Sequence, residues 1–301
     1  MKVFLITLKR NAKLFFKDKG LFFTSLITPL ILLVLYATFL SNVYEQTFVG
    51  IFEAFEVKVD KNMINGLVGG QLMSSLLAVS CVTVSFCSNM LMVQDKITGA
   101  NKDFSITPVK RSTLAFSYYV STTLVTLIIC FIALTASLIY VACVGWYISF
   151  TDVLLMILDV FILVTFGTAL SSVINHFLSS QGQISAVGSI VSSCYGFICG
   201  AYMPLSSFSY GLRNALMFLP GTYGTSLIRN HAVNGALKAI GETVPENAIN
   251  EVKKAIDCNI YFFETQVETW VCYLVIALSA VALVGAYVLI NVLSNKKAKS
   301  N

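Results

Sequence analysis

The sequence predicts an all-α, polytopic membrane protein with six transmembrane helices. Three observations carry that expectation. Of the 301 residues, 56% are hydrophobic and only 12% charged, where an ordinary soluble domain has about 25% charged residues. So few charges do not cover a water-facing surface, and the mean hydropathy of +0.79 points to lipid as part of the solvent. Apolar residues gather in six runs, each at or above the roughly 20 residues that cross a hydrocarbon core. The basic residues stand in short blocks beside these runs. That is the arrangement of juxtamembrane segments, so the net charge of +5 does not indicate a nucleic-acid partner.

The chain opens on a basic stretch over about residues 2–19, where Lys9, Lys13 and Lys17 recur every fourth position beside Lys2 and Arg10. Phe4, Leu8, Ala12 and Phe15 mark an apolar face, although Val3, Ile6 and Leu14 fall toward the charged side. Such a helix lies in the cytoplasmic headgroup region. The alternative is a basic leader that only fixes orientation. No small-residue cleavage site follows, so the stretch does not read as a secretory signal.

The first span covers about residues 21–40, with Pro29 predicting a kink. A short polar segment follows, with Glu45, Glu53, Glu56 and Asp60 against Lys58 and Lys61, an acidic balance that suits the outside. The second span, about 65–93, starts with Gly66, Gly69 and Gly70, which allow close helix approach. A polar segment from Gln94 to Arg111 leads into the third span, about 114–144. Gly145, Trp146 and Tyr147 make a tight turn into the fourth, about 152–174. After a short polar loop from Asn175 to Gln183, the fifth span occupies about 184–202 and is rich in Ser, Gly and Cys. Residues 204–268 are mixed, the sixth span is about 269–291, and the tail carries Lys296, Lys297 and Lys299. With the N-terminus inside, the leader, the Gln94–Arg111 segment and the tail collect most of the Lys and Arg residues, while the proposed outer loops collect most of the acidic ones. The positive-inside rule therefore predicts both termini in the cytoplasm.

No motif for catalysis is present: there is no P-loop, no HExxH, no zinc-type Cys/His cluster and no GxSxG. Seven of the eight cysteines lie in apolar runs and read as small packing residues, and Cys258 sits in a polar segment without an evident partner. Asp159 falls inside the fourth span, where a charge costs roughly 2.5–3.5 kcal/mol on insertion scales, so it faces protein or water. It is either a carboxyl hydrogen-bonded to a neighbouring helix or a polar residue of a substrate or proton pathway. His176, at the inner end of that span, reads as a headgroup-level residue. Residues 204–230 are too apolar for an ordinary loop and are interrupted by Pro204, Gly211, Pro220 and Gly224. A broken, partly inserted segment fits, the alternative being an outer loop folded on the surface.

Within the Gln94–Arg111 segment, Asp95, Lys96, Gly99, Asp103, Thr107, Pro108, Val109, Lys110 and Arg111 follow an order that resembles the cytoplasmic coupling segment of ABC type-2 transporter permeases. The opening, with Lys9, Arg10, Phe15, Phe16, Asp18 and Lys19 before the Pro29 to Tyr36 stretch, looks like the start of that family. Met203 and Pro204, Leu212 and Arg213, Leu219 and Pro220, Tyr223 and Arg229 are similar to its segment between the last two spans.

The resemblance implies one transmembrane domain over residues 1–301, with an N-terminal interfacial helix, a cytoplasmic coupling helix and short re-entrant helices before the last span. It implies a second permease subunit, identical or paralogous, and a separate ABC ATPase that carries ATP and Mg, with no cofactor and no catalysis on this chain. The chain would then be the permease of an ATP-driven exporter in the cell membrane of a bacterium, with membrane lipid around it. In the coupling segment Asp95, Lys96, Asp103, Lys110 and Arg111 would offer charges to a docking groove, and Pro108 would fix the turn into the third span. The other reading of this loop is a solvated segment whose cations only set topology. Cargo in this family includes drugs, antimicrobial peptides and lipid-linked compounds, and the apolar spans favour an amphipathic or lipid-like one. Two other function classes fit an apolar polytopic chain. One is an ion- or proton-coupled secondary transporter using Asp159, although no internal repeat is evident. The other is a non-transporting membrane assembly factor.

Overall fold

The computed structural model describes residues 2–100 and 109–300, nearly all of them helical. Helix α1 (Lys2–Lys17) turns Phe15, Thr7 and Asn11 inward against α6, leaves Lys9, Lys13 and Lys17 in water, and exposes Val3, Leu5 and Ile6. Val3, Leu5 and Ile6 are thus exposed on and beside the lysine face, as on a helix whose cations snorkel beside apolar residues. Asp18 caps the next helix by accepting from the Leu21 N–H at 3.1 Å.

That helix does not stop at residue 40. α2 (Lys19–Leu35) runs through a wide π turn at Tyr36–Leu40 into α3 (Ser41–Ala54), a 36-residue rod about 54 Å long. Its polar composition suggested a loop, but Tyr44, Phe48 and Phe52 recur every fourth residue and are buried against α4. The hydroxyls of Ser41 and Thr47 bond back to carbonyls one turn earlier, which suits a helix leaving the apolar region.

α4 (Lys61–Ser88) is the centre of the molecule, touching α2, α3, α6, α7, α8 and α10. Asp60 caps its start and Asn89 breaks it from the short α5 (Met90–Ile97). The Asn89 amide donates to Ser171 and Ser172 at 3.0 Å each, so the break is held by a neighbouring helix. α6 (Arg111–Val144) ends at Gly145, and α7 (Phe150–His176) starts with a capping box between Ser149 and Asp152. α8 (Gln181–Ile198) leaves the C-terminal end of α7, and a 3₁₀ turn (Leu205–Ser207) and α9 (Tyr210–Leu216) follow it.

α10 (Pro220–Gly241) starts beside the middle of α7 and climbs antiparallel to it. A Cβ on Gly224 would meet Leu163, His231 adjoins Asp159, and Asn234 adjoins Asp152. The helix ends past the Gly145–Ile148 turn, where Gly235 lies against the Tyr147 carbonyl so closely that a Cβ there would sit 1.7 Å from it. α11 (Glu246–Ala255) packs on α3, and a two-stranded hairpin pairs β1 (Tyr261–Phe262) with β2 (Thr265–Gln266) ahead of α12 (Thr269–Ser300).

Five described helical segments are long and apolar enough to cross a membrane: Lys19–Ala54, Lys61–Ile97, Arg111–Val144, Phe150–His176 and Thr269–Leu293. The chain is therefore an all-α, multi-span membrane protein. α8, with 18 residues, two glutamines and four serines, falls outside that set.

The tight crossing of α10 over the α6–α7 turn generates a paired expectation. Gly235→Ala forces backbone apart and should destabilise the protein by about 1–3 kcal/mol. Gly50→Ala on α3 meets nothing within 4 Å and should stabilise it by roughly 0.5–1 kcal/mol through helix propensity. Thermal melting of the two purified variants checks both signs.

Candidate functional site

Past the C-terminal end of α4, α5 is wired to three other helices. The Asp95 carboxylate, 6% exposed, accepts from both Arg10 guanidinium nitrogens at 2.6 and 3.0 Å and from the Tyr118 hydroxyl. This fork geometry is the strong form of an ion pair. The hydrogen bond to Asp95 holds the Arg10 guanidinium above its usual pKa despite partial burial. Lys96 donates to the carbonyls of Asn175, His176 and Leu178 at 3.2, 2.5 and 3.3 Å, capping the negative end of α7. Gly99 has φ of +82°, the left-handed conformation that ends a helix. Asp95 ties α5 to α1 and α6, and Lys96 ties it to α7.

Those contacts alter the expectation for the segment. Asp95 and Lys96 do not point at a docking surface, because both charges are consumed inside the chain. Lys110 is exposed just before α6 and Arg111 is half-buried at its start. Asp103 and Pro108 lie outside the described residues. Sequence spacing gave Asp95 and Lys96 their place in the segment but not their direction, because Arg10, Tyr118 and the α7 carbonyls come from distant parts of the chain.

A second polar cluster lies where α7, α10 and α12 meet. Asp159, 2% exposed, has Oδ2 at 2.6 Å from His231 Nδ1 and Oδ1 accepting from the Tyr273 hydroxyl at 2.6 Å. Two turns along α7, Asp152 accepts from the Asn234 amide at 2.8 Å. His231 and Tyr273 were not singled out by sequence. The available signal was periodicity: Asp152 and Asp159 are seven residues apart on α7 and His231 and Asn234 three apart on α10, so each pair shares a face.

The residues between α8 and α12 hang on α10. Arg229, buried, donates to the Gly200 carbonyl at 2.8 Å, and Tyr223 donates to the Met217 carbonyl at 2.8 Å. Pro220 opens α10 at the position where a missing N–H costs nothing. Pro204 precedes the 3₁₀ turn, whose Leu205 and Ser206 N–H groups are accepted by the Asp257 carboxylate. Burial pushes the Asp257 carboxyl above its ordinary value. Ser226 and Asn230 both donate to the Cys258 carbonyl, at 3.0 and 2.7 Å. Cys258 is buried, free and pushed up to about 12 by desolvation, so it acts as a packing residue. Arg213 on α9 lies over the Tyr210 ring at 5.6 Å.

Among the described residues no group of three or more His, Cys, Asp or Glu could hold a metal ion. A family model described as ABC-2 type transporter matches residues 2–231. No curated protein and no solved structure matches the chain.

The Asp159 cluster yields a graded expectation. Asp159→Ala strips an acceptor from both Tyr273 and His231 and should lower stability by about 1–3 kcal/mol. Asp159→Asn keeps one acceptor, so it should melt between wild type and the alanine variant and retain most transport. Thermal melting and a vesicle transport assay read the two effects, and a dead but normally folded Asn variant would make the carboxylate a working part of the pathway.

Proposed function

The chain belongs to the ABC-2 type transporter family, a family of non-catalytic membrane permeases, and on that premise we propose that it forms half of the translocation pathway of an ATP-driven exporter. The observation that carries this reading is the outer face of α8. Ser185, Ser189, Ser192, Ser193 and Cys194 are exposed on it, whereas the exposed residues of α12 include Leu274, Leu278, Val281 and Leu289. Lipid suits the second surface and not the first. Small hydroxyl-bearing faces suit close helix contact and a partly wetted path. In this reading α8 is the sixth span and meets a second permease, identical or paralogous, across the pathway. Hydroxyls interleaved with Ile190 and Phe197 suit an amphipathic or lipid-like cargo such as a drug, an antimicrobial peptide or a lipid-linked compound.

Energy comes from a separate ABC ATPase, which carries ATP and Mg, docking beneath the α5–α6 connection. Asp95 and Lys96 are the anchors that make this connection a lever, since a push on α5 is delivered to α1 through Arg10, to α6 through Tyr118 and to α7 through the carbonyls at its end. Exposed Lys110 supplies docking charge. The wide turn from α9 into α10, starting at mid-depth, serves as the re-entrant element, with Pro204, Arg213, Pro220, Tyr223 and Arg229 shaping it. Both termini are cytoplasmic in this orientation. A proton-coupled mechanism finds less support, because both oxygens of Asp159 are already bonded and the residue is buried.

Two experiments test the reading. Ser189→Leu makes α8 more lipid-like. If α8 faces a pathway, transport and substrate-stimulated ATP hydrolysis should fall several-fold at normal membrane levels; unchanged activity places that face in lipid and removes the main support. Charge reversal at Lys110 probes docking without touching the internal anchors, as reversal at Asp95 would not. Lys110→Glu should weaken co-purification of the ATPase subunit by roughly five- to tenfold, the worth of about 1 kcal/mol of charge pairing, while insertion stays normal; undiminished co-purification excludes this residue from the contact.

A further inference from the structure

A cavity of about 80 Å³ lies among α5, α6, α7 and α12 at the inner end of the molecule. It is large enough for several waters or one phosphate-sized group. Its polar lining is Lys96, Arg111, Tyr118, His176 and Asn291, with no acidic residue among them. Asp95, which Tyr118 touches, is already neutralised by Arg10. Leu114 and Tyr287 also line it, so charge and apolar surface meet in one small space.

Arg111 is the group without an occupation. Lys96 is committed to the end of α7, and His176 packs edge-on against Phe177 and Tyr287. Arg111 has no ion pair and no side-chain hydrogen bond among the described residues, and it is half-buried rather than free in water. It also stands at the first position of α6, a 34-residue helix whose start receives no side-chain cap from Lys110. The unpaired N–H groups of a helix start carry partial positive charge and add to that of the guanidinium. A half-desolvated arginine, a lysine and a helix start, without a counter-ion among the described residues, favour an anion with several acceptor oxygens, which is the chemistry of phosphate.

We propose that this cavity binds the phosphodiester of an anionic phospholipid from the cytoplasmic leaflet, with Arg111 as its principal contact. The apolar wall decides for a lipid over a free ion, because Leu114 and Tyr287 suit the glycerol and first acyl carbons and give nothing to inorganic phosphate. Basic pockets between spans on the cytoplasmic side are a recurrent headgroup site. The position also gives the lipid a role: it bridges the start of α6 to α12 beside the Lys96 ammonium, whose N–H groups stay on the end of α7, so it stiffens the inner connection through which a push on α5 reaches the spans. The leaflet and this role rest on the orientation and coupling proposed above; the binding chemistry does not.

Nanodiscs have the same lipids in both leaflets, so they test the cavity whatever the orientation and whatever the cargo. Wild type, Arg111→Gln, Arg111→Lys and Lys9→Gln are placed in phosphatidylcholine discs with and without phosphatidylglycerol, and retained lipid is counted by native mass spectrometry alongside melting. Wild type and Lys9→Gln should retain phosphatidylglycerol and melt higher with it. Arg111→Gln should retain roughly five- to tenfold less, with Arg111→Lys in between. Equal retention by wild type and Arg111→Gln overturns the site, as does an equal loss in Lys9→Gln, which would mark unspecific surface attraction. If inorganic phosphate added to phosphatidylcholine discs reproduces the full gain in melting, the occupant is a free ion and the lipid assignment fails. Should Arg111→Gln not fold, Asn291→Leu carries the same expectation of reduced retention.

Discussion

A polar group inside a hydrocarbon solvent has no water to fall back on, and that constraint organises this molecule. α10 meets it most fully. Ser226, Arg229, Asn230, His231 and Asn234 follow one another along a buried helix, and each bonds to another part of the chain: the Cys258 carbonyl, the Gly200 carbonyl, Asp159 or Asp152. A helix with this sequence would be expelled from lipid on its own. Placed among α4, α7 and α12 it becomes a polar spine that fixes both the segment before it and the segment after it. Single hydrogen bonds of this kind contribute roughly 0.6 kcal/mol each in membranes; their effect here is cumulative, because all of them are made together by one helix.

The same constraint explains the surroundings of α5. Asp95 and Lys96 are neighbours of opposite charge at the membrane boundary, and each is satisfied by a different set of partners. One reaches the interfacial helix and α6, the other the end of α7. Their separation in space turns a short helix into a junction, since α5 cannot move without disturbing α1, α6 and α7. Glycines serve the opposite purpose at the other end of the helices, where Gly235 lets α10 pass under the Tyr147 carbonyl and so brings Asn234 and His231 within reach of α7.

α8 stands apart from this scheme because its hydroxyls are turned outward. Four of the other long helices show lipid-compatible residues where they are exposed, among them Ile31 and Val34 on α2, Ile128 and Ile139 on α6, Leu154 and Phe161 on α7, and Leu278 on α12. α4 is enclosed on all sides. The row of exposed serines on α8 is the surface on which the proposed pathway rests.

Hydropathy by itself determined that the chain is helical and membrane-spanning, and it located the apolar centres of the spans, because transfer into lipid is a local, additive property of a run of residues. It also marked Asp159 as a residue needing a partner and the proline- and glycine-broken stretch around Pro204 and Pro220 as something other than a loop. It did not see that α3 continues the first span, since the glutamates of Ser41–Ala54 outweighed the Tyr44, Phe48, Phe52 stripe in composition though not in packing. Nor could it see Arg10 on Asp95, His231 and Tyr273 on Asp159, or Asp257 beneath Leu205. Those pairs are separated by 85, 72, 114 and 52 residues, and no local pattern encodes which distant group will be the acceptor. Only the tertiary structure decided the partners, because a buried polar group is satisfied by whatever the packing of neighbouring helices brings within hydrogen-bonding distance.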